Sequence, residues 1–324
     1  MTVSSAGEQT TDGRHRRAHL HQGAFLLLVA LCATPWVGTA AALAMGIAFG
    51  VILGNPWMQG SAKASRKLLQ LSVVGLGFGL GIGQVVHEAR QSLLLTIVGI
   101  VFTILAGTLI GRLCKNPPRT ATLISFGTAI CGGSAIAAMA PVIKAENEEI
   151  AVSLVTVFTL NSVALLLFPV VGHLLGLSQH DFGVWAGIAI HDTSSVVGAA
   201  AAYGPAALAV GTTVKLARAL WITPCVIAAG LIKRTGKMPT VPLFILGFIA
   251  AALLRSFLPQ FCTVWDGLAG VAKHGLVMTL FLIGAGLNRK VLQTVGFRPM
   301  VQGVALWMLV SALSLAAIRG GLTG

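Results

Sequence analysis

Charged residues are scarce in this sequence, and acidic residues are the scarcest. Only 10% of the 324 residues are charged, with nine Asp and Glu beside 22 Lys and Arg, whereas a soluble protein carries about 25% charged residues. The five cysteines form no CxxC pair, which argues against a disulfide framework or a metal centre. With 56% hydrophobic residues and a mean hydropathy of +0.88, the composition predicts an all-α polytopic membrane protein.

The formal net charge of +13 follows a pattern that is typical of membrane proteins. Lys and Arg gather in short segments between apolar runs, as at 63–67 and 112–119, and cytoplasmic loops carry such an excess. We therefore expect a lipid bilayer as a partner, and no nucleic acid. The basic residues before the first apolar run predict a disordered, cytoplasmic N-terminus over residues 1–22. A retained first helix is favoured over a cleaved signal peptide, because another apolar run follows with no polar segment of a mature start.

Residues 23–320 are predicted to form a single transmembrane domain of roughly eleven apolar runs, most of them near the 20 residues that one crossing needs. Two runs, 120–143 and 182–203, are interrupted halfway by flexible or polar residues. A break at membrane depth is tolerated only where the backbone is buried in protein or lines a cavity. The two breaks therefore indicate where a functional site lies.

The two broken runs and their neighbours resemble each other, which predicts a first repeat over about 39–175 and a second over about 182–318. Only one full helix separates the breaks. If each broken run is a re-entrant hairpin of two half-length helices, the repeats are inverted, as in many secondary transporters, and the chain has about nine crossings plus two hairpins. If each broken run is a full crossing, the alternative is about eleven crossings.

The first break contains Cys131, Gly132, Gly133 and Ser134. Glycine allows a ligand to approach the backbone closely, and a half-helix that begins at Gly133 or Ser134 would direct free N–H groups at an anion. These residues are predicted to bind the substrate. The alternative is a glycine kink that serves only helix packing.

The second break contains His191, Asp192, Thr193, Ser194 and Ser195. An intramembrane acid is costly, so Asp192 is predicted to carry a coupling proton or to help bind a sodium ion. His191 and the three hydroxyls are predicted to bind the substrate, and the hydroxyls can also cap the next half-helix. The alternatives are that these groups only satisfy the broken backbone, or that Asp192 neutralises a buried cation.

Two cations, Lys215 and Arg218, lie in the otherwise apolar segment Ala209–Ile232. They are one helical turn apart and project to one side, which predicts an anion site near the middle of the membrane. The alternatives are snorkelling to an interface or pairing with an acid, Arg218 with Asp192. Asn161 lies midway along the helix between the breaks and is predicted to help bind the coupling ion; a helix–helix hydrogen bond is the alternative. No cofactor or metal is expected apart from H⁺ or Na⁺ as the coupling ion.

Two other classes of function fit these residues less well than transport does. An intramembrane serine hydrolase would use Ser134 as the nucleophile and His191 as its base, but it would leave the two cations without a role. A passive membrane anchor would not need two polar breaks. The residues therefore favour a transporter over an enzyme.

The motifs Ser125–Ala138, Ile190–Val197 and Lys215–Leu220, with Gly77–Gly81 and Gly284–Leu287, resemble the YeiH family of bacterial membrane proteins, for which sulfate export has been inferred. The resemblance extends from about residue 43 to the C-terminus. It implies a multi-pass protein of the bacterial inner membrane, related to secondary carriers with glycine-rich re-entrant loops.

Residues and resemblance together predict a secondary transporter of a small anion of the sulfate, sulfite or sulfonate class, with export as one direction of transport. Alternating access would move a hairpin-bearing core against scaffold helices, through which a homodimer can form. The family pattern often has Glu after the histidine, whereas this chain has Asp192, whose side chain is one methylene shorter.

Overall fold

The computed structural model describes residues 21–233, 243–286 and 296–321, and the regular elements within these ranges are all helices. In chain order they are α1 (His21–Cys32), α2 (Thr39–Ile52), α3 (Met58–Gly77), α4 (Ile82–Gln91), α5 (Leu93–Leu113), α6 (Pro118–Ala129), α7 (Gly133–Met139), α8 (Asn147–Leu174), α9 (Gln179–Ala189), α10 (Thr193–Tyr203), α11 (Pro205–Leu220), α12 (Ile222–Lys233), α13 (Leu243–Phe257), α14 (Cys262–Ala285) and α15 (Phe297–Arg319). A 3₁₀ turn, Pro259–Phe261, precedes α14. The all-α prediction is confirmed for these ranges.

Five helical segments of the described ranges are long and apolar enough to cross a membrane. They are Leu93–Leu113, Asn147–Leu174, Pro205–Leu231, Pro259–Ala285 and Phe297–Arg319. Helices α1, α2 and α13 are apolar but shorter. The chain is therefore a polytopic membrane protein, while the total of nine crossings and the cytoplasmic N-terminus stay predictions. The segment 1–22 lies outside the described residues except for its last two, which belong to α1.

The apolar run Leu68–Val86, one of the eleven runs in the sequence, is not one continuous helix. The chain bends by 106° between α3 and α4. The break is held by residues distant in sequence: Arg255 Nη1 donates to the Phe78 carbonyl at 2.7 Å, and Ser256 Oγ accepts from the Ile82 amide at 2.8 Å. Backbone groups that have no partner within their own helix at the bend thus form hydrogen bonds with side chains.

The chain forms two compact units, Met1–Ser72 with Gly270–Arg289, and Val73–Ala269 with Lys290–Gly324. In the first unit, Phe25, Phe49 and Phe281 pack in the hydrophobic core with edge or tilted ring contacts. The second unit contains both predicted breaks. The boundaries of these two units differ from those of the predicted repeats, 39–175 and 182–318. The single domain built from two repeats therefore stays a prediction.

Helices α6 and α7 form a hairpin that reverses at residues 130–132. Arg119, at the start of α6, lies 3.5 Å from Glu146 and 3.7 Å from Glu149, just beyond the second arm. One straight helix would separate residues 119 and 146 by about 40 Å at 1.5 Å per residue. The two arms therefore run back alongside each other, and the first break is the tip of a hairpin.

Helices α9 and α10 form a second hairpin with its reversal at residues 190–192. The ring of Tyr203, the last residue of α10, stacks on Phe182 in the first turn of α9 with centroids 3.8 Å apart. Its hydroxyl donates to the Leu177 carbonyl at 2.6 Å. A straight helix would place residues 177 and 203 about 39 Å apart. Both ends of this hairpin thus lie together, as the re-entrant interpretation requires.

The two hairpins open at opposite ends of α8 and meet halfway along it. Glu146, beside the mouth of the first hairpin, caps the N-terminus of α8, and Leu177, at the mouth of the second, follows its C-terminus. Asn161, midway along the 28 residues of α8, accepts a hydrogen bond from the His191 amide at the second tip. Its Nδ2 also lies 3.6 Å from the position that a Cβ atom on Gly132, at the first tip, would take.

Helix α11 carries both predicted cations and packs closely on α9. Gly183 and Gly187, one turn apart on α9, leave no room for a Cβ atom against Val210 and Val214 of α11. Small residues at such a spacing let helix backbones approach closely within a membrane. This close contact brings Lys215 and Arg218 to the level of the second hairpin tip.

Candidate functional site at the meeting hairpin tips

The first tip is a tight backbone reversal centred on Gly132. Its dihedral angles, φ +68° and ψ −124°, are ones that residues with a side chain rarely adopt. A Cβ atom there would lie 3.4 Å from the His191 carbonyl oxygen and 3.6 Å from Asp192 Cα. The glycine therefore allows the first tip to lie against the backbone of the second, which brings together residues about sixty positions apart.

The other predicted residues of the first tip have different surroundings. Cys131 is buried, and Gly133 begins α7, as predicted, with no space for a Cβ atom against Phe158. Ser134 is exposed, and its hydroxyl makes no hydrogen bond with His191, whose ring nitrogens are both without a partner among the described residues. The structure thus does not join Ser134 and His191 as the nucleophile and base that a hydrolase requires.

The second tip is shaped by Asp192, which caps α10. Its Oδ2 accepts hydrogen bonds from the Ser195 amide at 3.1 Å and from Ser195 Oγ at 3.2 Å. The prediction that a hydroxyl residue would cap this half-helix is wrong, because the carboxylate does so instead. Ser195 is buried in this cap, whereas Thr193 and Ser194 are half-buried.

Lys215 and Arg218 both lie against the tips with side chains that are 0% exposed. Lys215 Nζ donates to the carbonyls of Ile130 at 3.0 Å and Ile190 at 2.7 Å. Arg218 donates from Nε to Ala129 at 2.7 Å and from Nη1 to Ile188 at 2.5 Å. Snorkelling is therefore excluded for both side chains in this structure.

No described acid pairs with either cation within 4.0 Å, so the alternative in which Asp192 neutralises Arg218 by an ion pair is not supported. The carbonyls that the cations bind belong to the C-terminal ends of α6 and α9. Such carbonyls have no partner within their own helix and carry partial negative charge. Backbone dipoles thus supply the compensation that buried cations need, in place of a carboxylate.

Several buried polar atoms around the tips have no hydrogen-bond partner within the described ranges. They are Arg218 Nη2, Asn161 Nδ2, both ring nitrogens of His191 and the hydroxyl of Thr128, and the adjoining helices α8 and α11 add the hydroxyls of Thr159 and Thr212. Each unsatisfied buried group costs about 1–3 kcal/mol, and buried polar groups in native proteins are nearly always satisfied. This cluster therefore indicates that a polar ligand or water belongs at the tips.

A family model described as conserved hypothetical protein 698 matches residues 23–303. The chain belongs to this family, whose curated relatives carry the name UPF0324 membrane protein. The relative from Geobacter sulfurreducens is 60% identical over 93% of this chain and 97% of its own length. Those from Bdellovibrio bacteriovorus and Porphyromonas gingivalis are 50% and 49% identical, over 92% and 88% of this chain and 94% and 88% of their own lengths. No solved structure matches the chain.

Membership of the UPF0324 family confirms the resemblance to the YeiH family and the location in a membrane. The names of these relatives give no substrate and no reaction.

Sequence reasoning missed three hydroxyls in this UPF0324 protein, those of Thr128, Thr159 and Thr212. Their positions carry a weak signal, because each lies within three residues of a predicted site residue or tip: Thr128 before the first tip, Thr159 before Asn161, and Thr212 before Lys215. Threonines are common in membrane helices, where they often donate to their own helix. Burial without a partner among the described residues is shared by Thr96 on α5, so a position beside a predicted site residue or tip is what distinguishes these three.

Proposed function

We propose that this UPF0324 protein is a secondary transporter of a small anion of the sulfate, sulfite or sulfonate class in the bacterial inner membrane. The observation that carries the proposal is the meeting of two oppositely opening hairpins around two buried cations with no acid paired to them among the described residues. Secondary transporters place their substrates near the midplane, between discontinuous helices of inverted halves. The arrangement of these hairpins along α8 matches that plan.

The chemistry of the unpartnered atoms favours an anion as the substrate. Arg218 Nη2 and Asn161 Nδ2 can only donate hydrogen bonds, and a neutral imidazole at His191 offers one N–H. The oxygens of a sulfate or sulfonate only accept hydrogen bonds, so these donors and the two positive charges suit such a group. Thr193 and Ser194, half-buried beside the second tip, would add hydroxyl donors.

The first tip would line the opposite side of the bound anion. Gly132 and Gly133 present backbone without side chains, and Cys131 and Ser134 flank them. In this arrangement the anion would lie beside the junction of the two tips and would be reached from one side of the membrane at a time. Alternating access would then expose the tips first to one side and then to the other.

Asp192 is the candidate residue for binding the coupling ion, and Asn161 lies beside the same tip. One carboxylate oxygen of Asp192, Oδ2, makes both hydrogen bonds of the cap, and no hydrogen bond of Oδ1 is found with the described residues. Either a proton or Na⁺ bound at this carboxylate would offset the negative charge of the substrate. Scaffold helices would carry the homodimer contact, and the N-terminus would face the cytoplasm.

The proposal is tested first by ligand-induced stabilisation of the purified protein. Sulfate, sulfite and methanesulfonate are compared, and a ligand at about 100 times its Kd stabilises the folded state by roughly 2.7 kcal/mol. Arg218→Gln should abolish this stabilisation, because the change removes the charge and Nη2. Arg255→Gln is the matched control, since Arg255 also donates to a backbone carbonyl but lies at the α3–α4 bend.

Uptake of the stabilising anion into proteoliposomes, with and without a pH or Na⁺ gradient, then tests transport. Stabilisation that is lost in Arg218→Gln and kept in Arg255→Gln, together with gradient-dependent uptake, supports the proposal. The proposal fails if none of the three anions stabilises the protein, or if Arg255→Gln abolishes the effect as completely as Arg218→Gln.

A further inference from the structure

The two buried cations each connect both hairpins. Lys215 Nζ donates to Ile130 on the first tip and to Ile190 on the second, at 3.0 and 2.7 Å. Arg218 repeats the pattern one turn along α11, with one bond to Ala129 and one to Ile188. Each cation therefore forms hydrogen bonds with both hairpins.

The acceptors explain why the bonds are strong. The carbonyls of Ala129 and Ile188 belong to the last turns of α6 and α9, and those of Ile130 and Ile190 come directly after these turns. Hydrogen bonds from charged donors are about twice as strong as neutral ones, and a cation at a helix C-terminus also interacts favourably with the helix dipole. The cations thus bind two negative helix ends that approach each other from opposite directions.

We infer that Lys215 and Arg218 form a tip clasp, a pair of positioning residues that hold the two hairpin tips together as one unit. The clasp makes a displacement of one tip pull on the other, so the two hairpins move together. This role goes beyond the proposed function, because it holds whatever ligand the site takes and whether or not a ligand is bound.

The competing interpretation is that the two side chains contribute only general packing to the interior and do not hold the tips in place. The two interpretations predict different consequences for the loss of Lys215. A clasp loosens both tips at once, whereas a general loss of packing lowers stability without singling out the tips. A reporter is therefore needed on the tip that is more distant in sequence, and Cys131 is a natural one because it is buried at the first tip.

The test uses full-length purified protein in which Cys32, Cys114, Cys225 and Cys262 are replaced by Ser or Ala, so that Cys131 is the single thiol. The rate of Cys131 modification by N-ethylmaleimide is measured, and hydrogen exchange by mass spectrometry follows peptides that cover residues 130–135 and 190–195. In Lys215→Met, Cys131 should react about tenfold faster or more, and both peptides should exchange faster, because local opening no longer breaks bonds to a charged donor.

Gln302→Leu is the matched control. Gln302 is also fully buried, and its Nε2 donates to the carbonyls of Gly107 and Ala121 on two helices, but away from the tips. This variant should lower the thermal stability while Cys131 reactivity stays within about twofold of the parent. Lys215→Arg should restore slow labelling, because a guanidinium can donate to both carbonyls.

The inference is overturned if Lys215→Met, still folded, leaves Cys131 reactivity unchanged, if only one of the two peptides exchanges faster, or if Gln302→Leu exposes Cys131 equally. Lys215→Gln, which removes the charge and shortens the side chain by one atom, takes the place of Lys215→Met where that variant cannot be purified, and the same outcomes apply. Anion binding enters none of these measurements, so they stand apart from the test of transport.

Discussion

The backbone conformation of Gly132 allows a quantitative prediction of how a side chain at the first hairpin tip would change the stability of the protein. In Gly132→Ala the new Cβ atom would meet its neighbours at 3.4 to 3.6 Å, which is ordinary van der Waals distance. Crowding is therefore small, and the effect comes from the backbone. An L-residue at φ +68° and ψ −124° is strained by about 1–3 kcal/mol. The variant should be less stable by about this amount, or should shift the tip to relieve the strain.

Gly99→Ala, made in the same parent protein, should have the opposite effect on stability. Gly99 lies within α5, and a Cβ atom there has no neighbour within 4 Å. Alanine in a helix interior is more favourable than glycine by about 0.5–1 kcal/mol, so this variant should gain stability. The two substitutions add the same methyl group, and the stabilities of the two variants should differ by about 1.5–4 kcal/mol.

The assay is equilibrium unfolding in mild detergent, with the apparent free energies of both variants measured against the parent. Anion-induced stabilisation is measured on the same samples, and it should weaken in Gly132→Ala because the tip faces His191 and Asp192. The reasoning is refuted if Gly132→Ala is as stable as Gly99→Ala, since the first tip would then not have a strained backbone.

Three further predictions concern the charges, the hydrolase alternative and the topology. Asp192→Asn should change stability by less than about 1 kcal/mol, because Asn caps a helix as well as Asp, yet transport should lose its dependence on pH or Na⁺; an unaltered pH profile would rule out Asp192 as the coupling residue. Ser134→Ala should keep partial transport, and a fluorophosphonate probe should leave Ser134 unmodified; stoichiometric labelling there would favour the hydrolase. A single cysteine in place of Glu148 should react with impermeant maleimide from the cytoplasmic side, and one in place of Ser178 should react from the outer side. Reaction of the residue-148 cysteine from the outer side would contradict the inverted hairpins.

The positions of the breaks could be predicted because glycine and polar side chains leave a clear signal in apolar runs. Gly127–Ser134 and Ile190–Ser195 interrupt their runs halfway, and the structure reverses the chain within both segments. The choice between a hairpin and a crossing depended on the number of full helices that separate the two breaks, and not on local composition. It is supported by contacts at the two mouths, Arg119 with Glu146 and Tyr203 with Phe182, which no sequence pattern marks.

The partners of the cations could not be predicted, because backbone carbonyls are present at every residue and leave no signal in the sequence. Lys215 and Arg218 stood out only as charges in an apolar segment, and an acid or an anion was the expected partner. Two helix ends provide the acceptors instead, and they come together only once both hairpins have formed.

The bend between α3 and α4 was missed for a related reason. The motif Gly77–Gly81 is rich in glycine, but glycine-rich helices are also common where membrane helices pack closely. What holds the bend is supplied by Arg255 and Ser256, each more than 170 residues further along the chain than its partner. Local sequence therefore permits a break at this place, and only tertiary contacts select it.

The clasp and the anion site place different demands on the two cations. Lys215 directs two of its three N–H donors at carbonyls, one on each tip. Arg218 uses Nε and Nη1 in the same way, and its buried Nη2 has no partner among the described residues. The guanidinium can therefore join the tips and still offer a charged donor to a ligand, because its donors diverge in a rigid plane. A lysine at position 218 would keep the charge, but a single nitrogen cannot reproduce this fork. The transporter interpretation thus assigns ligand contact to Arg218, while Lys215 links the two tips.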